Sequence, residues 1–512
     1  MELLLRRLWL LRFVSIGLFL VAVYGPLLGV FFGSLTETWP PLAELATPRR
    51  ISLLVRSLAF SAVIALAVSV TGTMAALALM RRNAALATRL QGLLLASLAL
   101  PPTIAAMSSS QVFGLLAAPS GWMVGGNWFL AGMVQGIALL PFSVGMGIAA
   151  LRASNPILLD AARIVATPVR QILGVTLPLA APTLSVGATL VFLLSLLDYT
   201  IPSIFGVNVY ALEIFVAFSA SGRIAEVLLL SLPLAGCSLA LLALLMRFPQ
   251  RHAQTSEDVP AIPDGPLPVA FRGLLNGAAF LMIAAFAVLL FPIVPGLGAL
   301  GTTIEGSAAE LRYTLATSVT TALVAVLLAL GPALELSRGG RRLRGVGILF
   351  LLPFLLPPAL IGVGLIAQWS PVHSVPLYGT AFMTVAAEVA RFAPVSVIVL
   401  AAWLLRIDPI LHEAALVSGA SLPRILTRVV LPLAAPGLAA AAGIAFVLSL
   451  GDIGATLLVT PAGQATLNLK AYNSLHYGGS QSAAGICALL LILAATGVLM
   501  TVLASRSRRA RG

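Results

Sequence analysis

Twelve runs of apolar residues, separated by short polar stretches, dominate this sequence. A helix needs about 20 mostly apolar residues to cross the hydrocarbon core of a bilayer, and each run is long enough. The runs lie near residues 8–33, 53–80, 93–117, 128–151, 183–206, 225–247, 273–295, 312–336, 346–369, 378–404, 437–460 and 482–504. Charged residues make up only 9% of the chain, against about 25% in soluble proteins. We therefore predict an all-α membrane protein with about twelve transmembrane helices, which excludes a soluble enzyme and a disordered chain.

One polar, proline-rich stretch interrupts the series after the sixth run. It extends from Arg247 to Pro268 and reads RFPQRHAQTSEDVPAIPDGPLP. Its charges and prolines are incompatible with a membrane span and typical of a linker between two units. The sequence thus predicts a first six-helix half over residues 1–247, a cytoplasmic linker over 248–270 and a second six-helix half over 271–512.

The basic residues are distributed unevenly between alternate loops. Lys and Arg number 30 against 17 Asp and Glu, a formal net charge of +13. With the N-terminus inside, 23 of the 30 fall in the termini, the linker and the inner loops, and only 6 fall in the outer loops. Because cytoplasmic loops are enriched in Lys and Arg, both termini are predicted to face the cytoplasm. The excess charge then reflects topology in a lipid membrane, and it requires no nucleic-acid partner.

The two halves repeat each other in the same direction. Matching segments are NPILLDAA from Asn155 with DPILHEAA from Asp408, TLPLAAPTL from Thr176 with VLPLAAPGL from Val430, and the Leu-Pro-Pro of residues 100–102 with that of residues 356–358. A direct repeat of six spans predicts two homologous halves related by a pseudo-twofold axis along the membrane normal. The transport pathway would then lie between the halves.

The most polar of these matching segments is the loop between the fourth and fifth runs of each half. The second copy reads HEAALVSGASLPRILTRVVLPLAAP, with an acid, two alanines, a glycine and a Leu-Pro at fixed spacing: Glu413, Ala414, Ala415, Gly419 and Pro432. The first copy keeps Asp160, Ala161, Ala162, Arg163 and Pro178 but lacks the glycine and one residue. This pattern predicts a short helix, a turn at Gly419 where φ > 0 is available, and a second helix.

The loop in the second half resembles the EAA signature of the permease subunits of ABC importers. The resemblance implies the type I importer permease fold in a bacterial inner membrane, with the residues just named docking two copies of a separate ABC ATPase. It also implies a periplasmic or lipid-anchored solute-binding protein, which the outer loops around Glu37, Glu213 and Lys470 would receive. The fused form resembles the ferric-iron and thiamine permeases, and the stretch from Gly451 is similar to the end of the iron type. Iron is therefore the favoured substrate, while thiamine, a polyamine, a phosphonate or another small solute remains open.

No residues for ATP chemistry occur in the chain itself. A phosphate-binding loop of the form GxxxxGK[ST] needs a lysine, and the single lysine, Lys470, lies between Leu469 and Ala471. The four histidines are scattered, and none belongs to an HExxH pair. We therefore predict a transport subunit that is not an enzyme and holds neither a cofactor nor a metal, with Mg-ATP bound by the partner ATPase.

A few ionisable and hydroxyl residues within or beside the spans are candidates for the pathway. They are Ser195, Asp198, Glu388, Arg391, Ser449 and Asp452. Ionisable groups inside a membrane are expensive and generally functional. Glu388 and Arg391 lie three residues apart, so they are predicted either to form an ion pair within one helix or to contact the substrate. The matched aspartates are predicted to line a gate or simply to end a helix.

Two other classes of protein also have many spans. A secondary active transporter has twelve spans in two halves, but it needs ion-coupling groups at the middle of the membrane and has no use for two alike cytoplasmic loops. A channel or scaffold without energy coupling needs neither. Dependence of transport on a separate ATPase distinguishes the importer from both.

Overall fold

The computed structural model contains helices and no strands among the residues it describes, which are 9–506 apart from 42, 44–45, 116–126, 248–264, 292, 338–346, 348, 371–375, 408 and 477–479. The α-helices before the linker are Trp9–Leu35, Pro48–Ala96, Pro102–Leu115, Trp128–Arg152, Pro156–Val165, Pro168–Gln171, Leu177–Leu197, Thr200–Ile204, Tyr210–Ser221 and Ile224–Arg247. Those after it are Val269–Leu290, Ile293–Gly298, Leu300–Gly306, Ala308–Leu336, Pro358–Trp369, Ala381–Leu404, Pro409–Val417, Leu422–Ile425, Leu431–Leu450, Thr456–Val459, Leu467–His476 and Ser480–Arg506. Helices satisfy every backbone group within one segment, as a bilayer requires, and the all-α prediction is confirmed.

The predicted spans correspond to helices, although some are not single straight rods. Within the described ranges, nine helices are long and apolar enough to cross a membrane, and a tenth results if Leu349–Leu355 and Pro358–Trp369, bent by 98°, form one broken span. The second predicted span and the start of the third share the helix Pro48–Ala96, which kinks at Asn83. The twelfth falls on Ser480–Arg506.

The third and ninth spans, predicted as continuous over 93–117 and 346–369, are broken at matching points. In both, a 3-10 turn is followed by a leucine with extended backbone, Leu100 or Leu356, and the helix restarts two residues later. Each leucine precedes a proline, which disfavours the helical conformation of the residue before it and removes a backbone donor. The Leu-Pro-Pro sequences therefore break the third span of each half.

The order of elements repeats from one half to the other. Each half has a long fourth span, a short loop helix, a fifth span that ends at an aspartate, two short helices and a sixth span. This order agrees with the direct sequence repeat. Most of the predicted linker, residues 248–264, lies outside the described residues, so the domain boundaries remain predictions.

The first span of each half packs against the opposite half. Trp9–Leu35 contacts the eighth and ninth spans, and Val269–Leu290 contacts the second and fourth. The first of these crossings requires glycine, because a Cβ on Gly29 would collide with the carbonyl oxygen of Gly364, and a Cβ on Gly364 would collide with that of Pro26. Close backbone approach at small residues is a main source of helix association in membranes. The exchanged first spans hold the two halves together.

Candidate functional site: two loop helices and a cavity between the halves

The loop between the fourth and fifth spans contains a short helix, Pro156–Val165, which we call the first loop helix. Asn155 begins it, because its side chain accepts a hydrogen bond from the backbone N–H of Ile157 at 3.0 Å. A proline fills the first helical position, where a missing N–H costs nothing. Asp160 and Arg163 form an exposed ion pair at 3.3 Å. The acid predicted for this loop therefore lies on the protein surface.

The matching loop of the other half contains the second loop helix, Pro409–Val417. Ala414 is exposed and Ala415 is partly buried, whereas in the first copy Ala161 is exposed and Ala162 is buried. The backbone of Glu413 belongs to this helix, but its side chain lies outside the part of the chain that the structure describes. The two helices thus present their small residues in similar ways.

The turns that follow the two loop helices are made differently. Gly419 has a φ of +74°, the left-handed conformation that the sequence predicts for it and that favours glycine. The first loop has no glycine at the matching turn, and its helix ends instead at Ala166, with φ −135° and ψ 148°. The side-chain amide of Gln171 donates to the carbonyl oxygen of Ala166 at 2.6 Å. An extended residue held by a glutamine therefore replaces the left-handed glycine.

A π-helical turn joins each loop to the span that follows. These turns are Ile172–Thr176 and Leu426–Val430, and the fifth and eleventh spans begin directly after them with Leu-Pro. Proline has no N–H and its ring crowds the carbonyl four residues earlier, so a locally wider turn accommodates Pro178 and Pro432. Each loop thus continues into its span without an intervening flexible segment.

Both loop helices expose large apolar side chains at matching positions. Ile157 and Ile164 are 75% and 86% exposed on the first helix, and Ile410 and Val417 are 66% and 88% exposed on the second. The members of each pair are 253 residues apart in the sequence. Contiguous apolar exposure outside the lipid region marks an interaction surface. We call these residues, with Leu158 and Leu411, the loop apolar surface.

A cavity of about 160 Å³ lies between the two halves, and we call it the central cavity. The first half lines it with residues 97–102 and 197–201, and the second with residues 391–392 and 451–454. These segments include the broken third span and the ends of the fifth and eleventh spans. The cavity brings together Asp198, Arg391 and Asp452 of the predicted pathway residues, whereas Ser195, Glu388 and Ser449 lie behind its wall.

In the first half, a glutamine that the sequence analysis missed connects the pathway candidates. Gln135 donates to the carboxylate of Asp198 at 3.1 Å and accepts from the hydroxyl of Ser195 at 3.2 Å. Asp198 also accepts from the backbone N–H of Thr200 at 2.8 Å, which caps the short helix that follows. Gln135 was detectable, because the 253-residue shift that aligns the loops places it opposite Glu388.

In the second half, Glu388 occupies the position of that glutamine. Its side chain is fully buried, and one carboxylate oxygen accepts from the hydroxyls of Thr321 and Ser449, both at 2.6 Å. Ser449 matches Ser195, so both halves contain a hydrogen bond from this serine to the fourth or tenth span. The shared contact fixes the fifth and eleventh spans against those spans.

The ion pair predicted between Glu388 and Arg391 is not formed. Arg391 instead pairs across the helices with Asp452, which also accepts from the backbone N–H of Thr456 at 3.0 Å. Positions three apart on a helix differ by about 60° in direction. Arg391 therefore turns into the central cavity while Glu388 faces the eighth span, where hydroxyl groups are available.

The charged residues expected in the outer loops bond to other parts of the chain. Glu213 is 7% exposed and pairs with Arg49 and Arg50, both at 3.1 Å. Glu37 accepts from the backbone N–H groups of residues 224 and 225 at the start of the sixth span. Lys470 pairs with a glutamate of the eighth span at 2.9 Å. These side chains therefore form ion pairs and hydrogen bonds within the protein.

Comparison with known proteins shows what these elements resemble. Residues 325–509 match the family described as binding-protein-dependent transport system inner membrane component. The chain is 30% identical over 241 residues to the molybdenum transport system permease proteins of Mycobacterium bovis and Mycobacterium tuberculosis, covering 44% of this chain and 90% of each relative. It is 26% identical over 188 residues to a putative 2-aminoethylphosphonate transport system permease protein of Salmonella typhimurium, covering 36% of this chain and 70% of that relative.

Proposed function

Because the chain belongs to the binding-protein-dependent ABC transport permeases, which are non-enzymatic inner-membrane components of importers, we propose that it supplies both halves of the pathway of one importer. The permeases it resembles match less than half of its length. The repeated order of elements supports two permease halves in a single polypeptide. The proposed complex contains this chain, two copies of an ABC ATPase and a solute-binding protein.

The observation that carries this proposal is the pair of matching loop helices. Each has an acid followed by two alanines, and each exposes apolar side chains at equivalent positions. A surface that is apolar, carries an acid and is present twice fits two copies of one soluble partner. We propose that each ATPase receives one loop helix in a cleft, with Asp160 or Glu413 facing a basic group of the ATPase.

The orientation of the chain follows from its arginines. Arg152 and Arg170 flank the first loop helix, which itself contains Arg163, and Arg406, Arg424 and Arg428 flank the second. Because basic loops remain in the cytoplasm, we propose that both loops and both termini face the cytoplasm, where the ATPase and its ATP are located. The opposite face would receive the binding protein.

The connection between loop and cavity suggests how ATP binding opens the pathway. Each loop runs through a π-helical turn into one span, and that span ends in the wall of the central cavity, at Asp198 in the first half and Asp452 in the second. We propose that closure of the ATPase pair draws the loop helices together and moves these two walls relative to each other. The cavity then alternates between the binding protein and the cytoplasm.

The similar permeases bear on the substrate. Their names refer to molybdenum and to 2-aminoethylphosphonate, and they give no support to the ferric iron favoured by the stretch from Gly451. In neutral water molybdenum occurs as the oxyanion molybdate, and a phosphonate is also an oxyanion. We therefore propose a small oxyanion as the solute.

Charge reversal on the loop helices tests the proposal. We expect Glu413→Arg and Asp160→Arg each to weaken co-purification of the cognate ATPase at least tenfold, because each replaces attraction to a basic group by repulsion. Glu305→Arg is the matched control, since Glu305 is exposed in the loop between the seventh and eighth spans, on the predicted outer side. If all three variants retain the ATPase equally, the docking assignment is wrong. Uptake driven by a proton gradient without ATP would instead identify a secondary transporter.

A further inference from the structure

The central cavity has hydrogen-bond donors left over, and we infer that the hydroxyl of Tyr199 and the guanidinium of Arg391 form a binding site for an oxyanion in transit. The inference rests on the proposed function, because it takes the cavity between the halves as the pathway. It goes further by naming the side chains that recognise the solute and the chemical class they select.

Tyr199 gives the first reason. It is only 2% exposed and lines the central cavity, yet its hydroxyl has no hydrogen-bond partner among the described residues. Its ring is held by stacking on Phe215, with centroids 6.1 Å apart. A buried hydroxyl without a partner destabilises a fold, so such a group requires an explanation. A ligand that accepts a hydrogen bond supplies one.

Arg391 gives the second reason. One of its terminal nitrogens pairs with Asp452, but its Nε is buried and has no partner in the described part of the chain. The guanidinium also lies against the ring of Phe392, with its Cζ 5.2 Å from the ring centroid. Arginine has five N–H donors in a planar fork that suits tetrahedral oxyanions. The pair with Asp452 fixes the group while leaving donors for a solute.

Both carboxylates of the cavity already have hydrogen-bond partners within the protein, which favours an anion over a cation as the ligand. Asp198 accepts from Gln135 and from the backbone of Thr200, and Asp452 accepts from Arg391 and from the backbone of Thr456. Both carboxylates therefore support helix ends and the ion pair. No group of three His, Cys, Asp or Glu residues suited to a metal ion occurs among the described residues. The Tyr199 hydroxyl and the Arg391 Nε, which have no partner among the described residues, can both donate to a ligand.

The broken spans add positive potential at the same place. The helices Pro102–Leu115 and Pro358–Trp369 both begin at the cavity, and the first residue of each lines its wall. The N-terminal end of a helix carries a partial positive charge that stabilises anions, and broken helices in transporters direct such ends at anionic groups. Two matching helix ends thus reinforce the donors of Tyr199 and Arg391.

The cavity is also large enough for a small ion, and only one half contributes an arginine to it. A water molecule needs roughly 10–15 Å³ of such space, so about 160 Å³ admits a small ion. The residue of the first half that matches Arg391 is Ala138, which also lines the cavity. Because only one half contributes the guanidinium, the fused chain has one such site and not a symmetric pair.

Two variants test the site in the complete importer, reconstituted in vesicles with its ATPase and binding protein. Tyr199→Phe removes only the unpaired hydroxyl, and we expect ATP-driven uptake of molybdate or of 2-aminoethylphosphonate to fall about tenfold, as for the loss of one hydrogen bond to a charged group. Arg391→Gln with Asp452→Asn removes both charges and leaves neither unpaired, and uptake should fall on the order of a hundredfold. The control is Tyr313→Phe, which loses a hydroxyl bonded to Thr384 away from the cavity and should keep uptake within about twofold.

Co-purification of the ATPase, measured on the same samples, separates this inference from the proposed function. Selective loss of oxyanion uptake with the ATPase still bound supports the site. Unchanged uptake in both cavity variants, or ATP-driven uptake by the unmodified importer of ferric iron and of neither oxyanion, overturns the site while leaving the importer assignment in place. Failure of the unmodified chain to bind an ATPase or to transport any solute overturns both.

Discussion

At single residues, the two halves differ most where matched positions carry different charges. Gln135 and Glu388 receive the same serine hydrogen bond, from Ser195 in the first half and Ser449 in the second. Only the second half has a carboxylate at this position. Because the glutamine performs the same structural role without charge, we interpret Glu388 as a residue that holds the tenth and eleventh spans together, not as part of the cavity surface.

This interpretation predicts opposite outcomes for two substitutions of Glu388. Glu388→Gln keeps an acceptor for the hydroxyls of Thr321 and Ser449 and removes a buried acid. We therefore expect the free energy of unfolding to stay within about 0.5 kcal/mol of that of the unmodified protein or to rise. Glu388→Ala leaves the hydroxyl of Thr321 without its acceptor and leaves that of Ser449 with Ser318 alone, and it should cost about 1–3 kcal/mol. The apparent Tm of the purified protein in detergent measures the difference. Equal destabilisation by the two changes would show that the charge itself is needed.

At the level of helices, the fold depends on the crossing of the first span over the ninth. A Cβ on Gly29 would meet the carbonyl oxygen of Gly364 and lie 3.2 Å from the Cβ of Gln368, whereas a Cβ on Gly17 of the same helix would have no neighbour within 4 Å. The two glycines share a helix but not an environment. Substituting each glycine in turn therefore distinguishes the effect of helix packing on stability from the effect of helix propensity.

We expect Gly29→Val to lower stability by about 1–3 kcal/mol or more, because overpacking pushes the helices apart. Gly17→Val introduces the same residue in the same helix and should leave stability within about 0.5 kcal/mol. The apparent Tm and the yield of folded protein in detergent provide the comparison. Similar behaviour of the two variants would contradict the close crossing between the halves.

Most of the helices followed from the sequence, because a bilayer enforces helical structure on any long apolar run. The breaks in the third and ninth spans did not, because the repeated Leu-Pro-Pro lies within an apolar run that is long enough to predict a continuous span. Helices such as Tyr210–Ser221 and Leu467–His476 were missed because they are shorter than a span. The turn at Gly419 was predictable, since few residues other than glycine adopt a positive φ.

The candidate site was less predictable than the helices for a physical reason. Spacing along one helix suggested that Arg391 pairs with Glu388, but tertiary packing brings Asp452 closer. Tyr199 gave no signal of its own, because an unpaired hydroxyl is a property of its surroundings. Sequence identified the residues that recur in both halves, and the structure was needed to show which of them meet.

At the scale of the whole molecule, the fused chain is a pair of halves that share a cavity and exchange their first spans. Each half connects one exposed loop helix to one wall of that cavity through a single continuous span. We therefore expect movement of the loop helices to change the shape of the cavity. On the proposed mechanism, drawing the two loop helices together moves the end at Asp198 relative to the end at Asp452.

The distance between the two loop helices is therefore the most direct test. Ala161 and Ala414 are both exposed, so spin labels on Ala161→Cys and Ala414→Cys, with Cys237 and Cys487 replaced by alanine, report this distance in the membrane by electron paramagnetic resonance. With a hydrolysis-deficient ATPase bound, we expect the distance between the labels to shorten when ATP is added and to lengthen again when ATP is removed. The same distance with and without ATP, while the ATPase remains bound, would contradict the account.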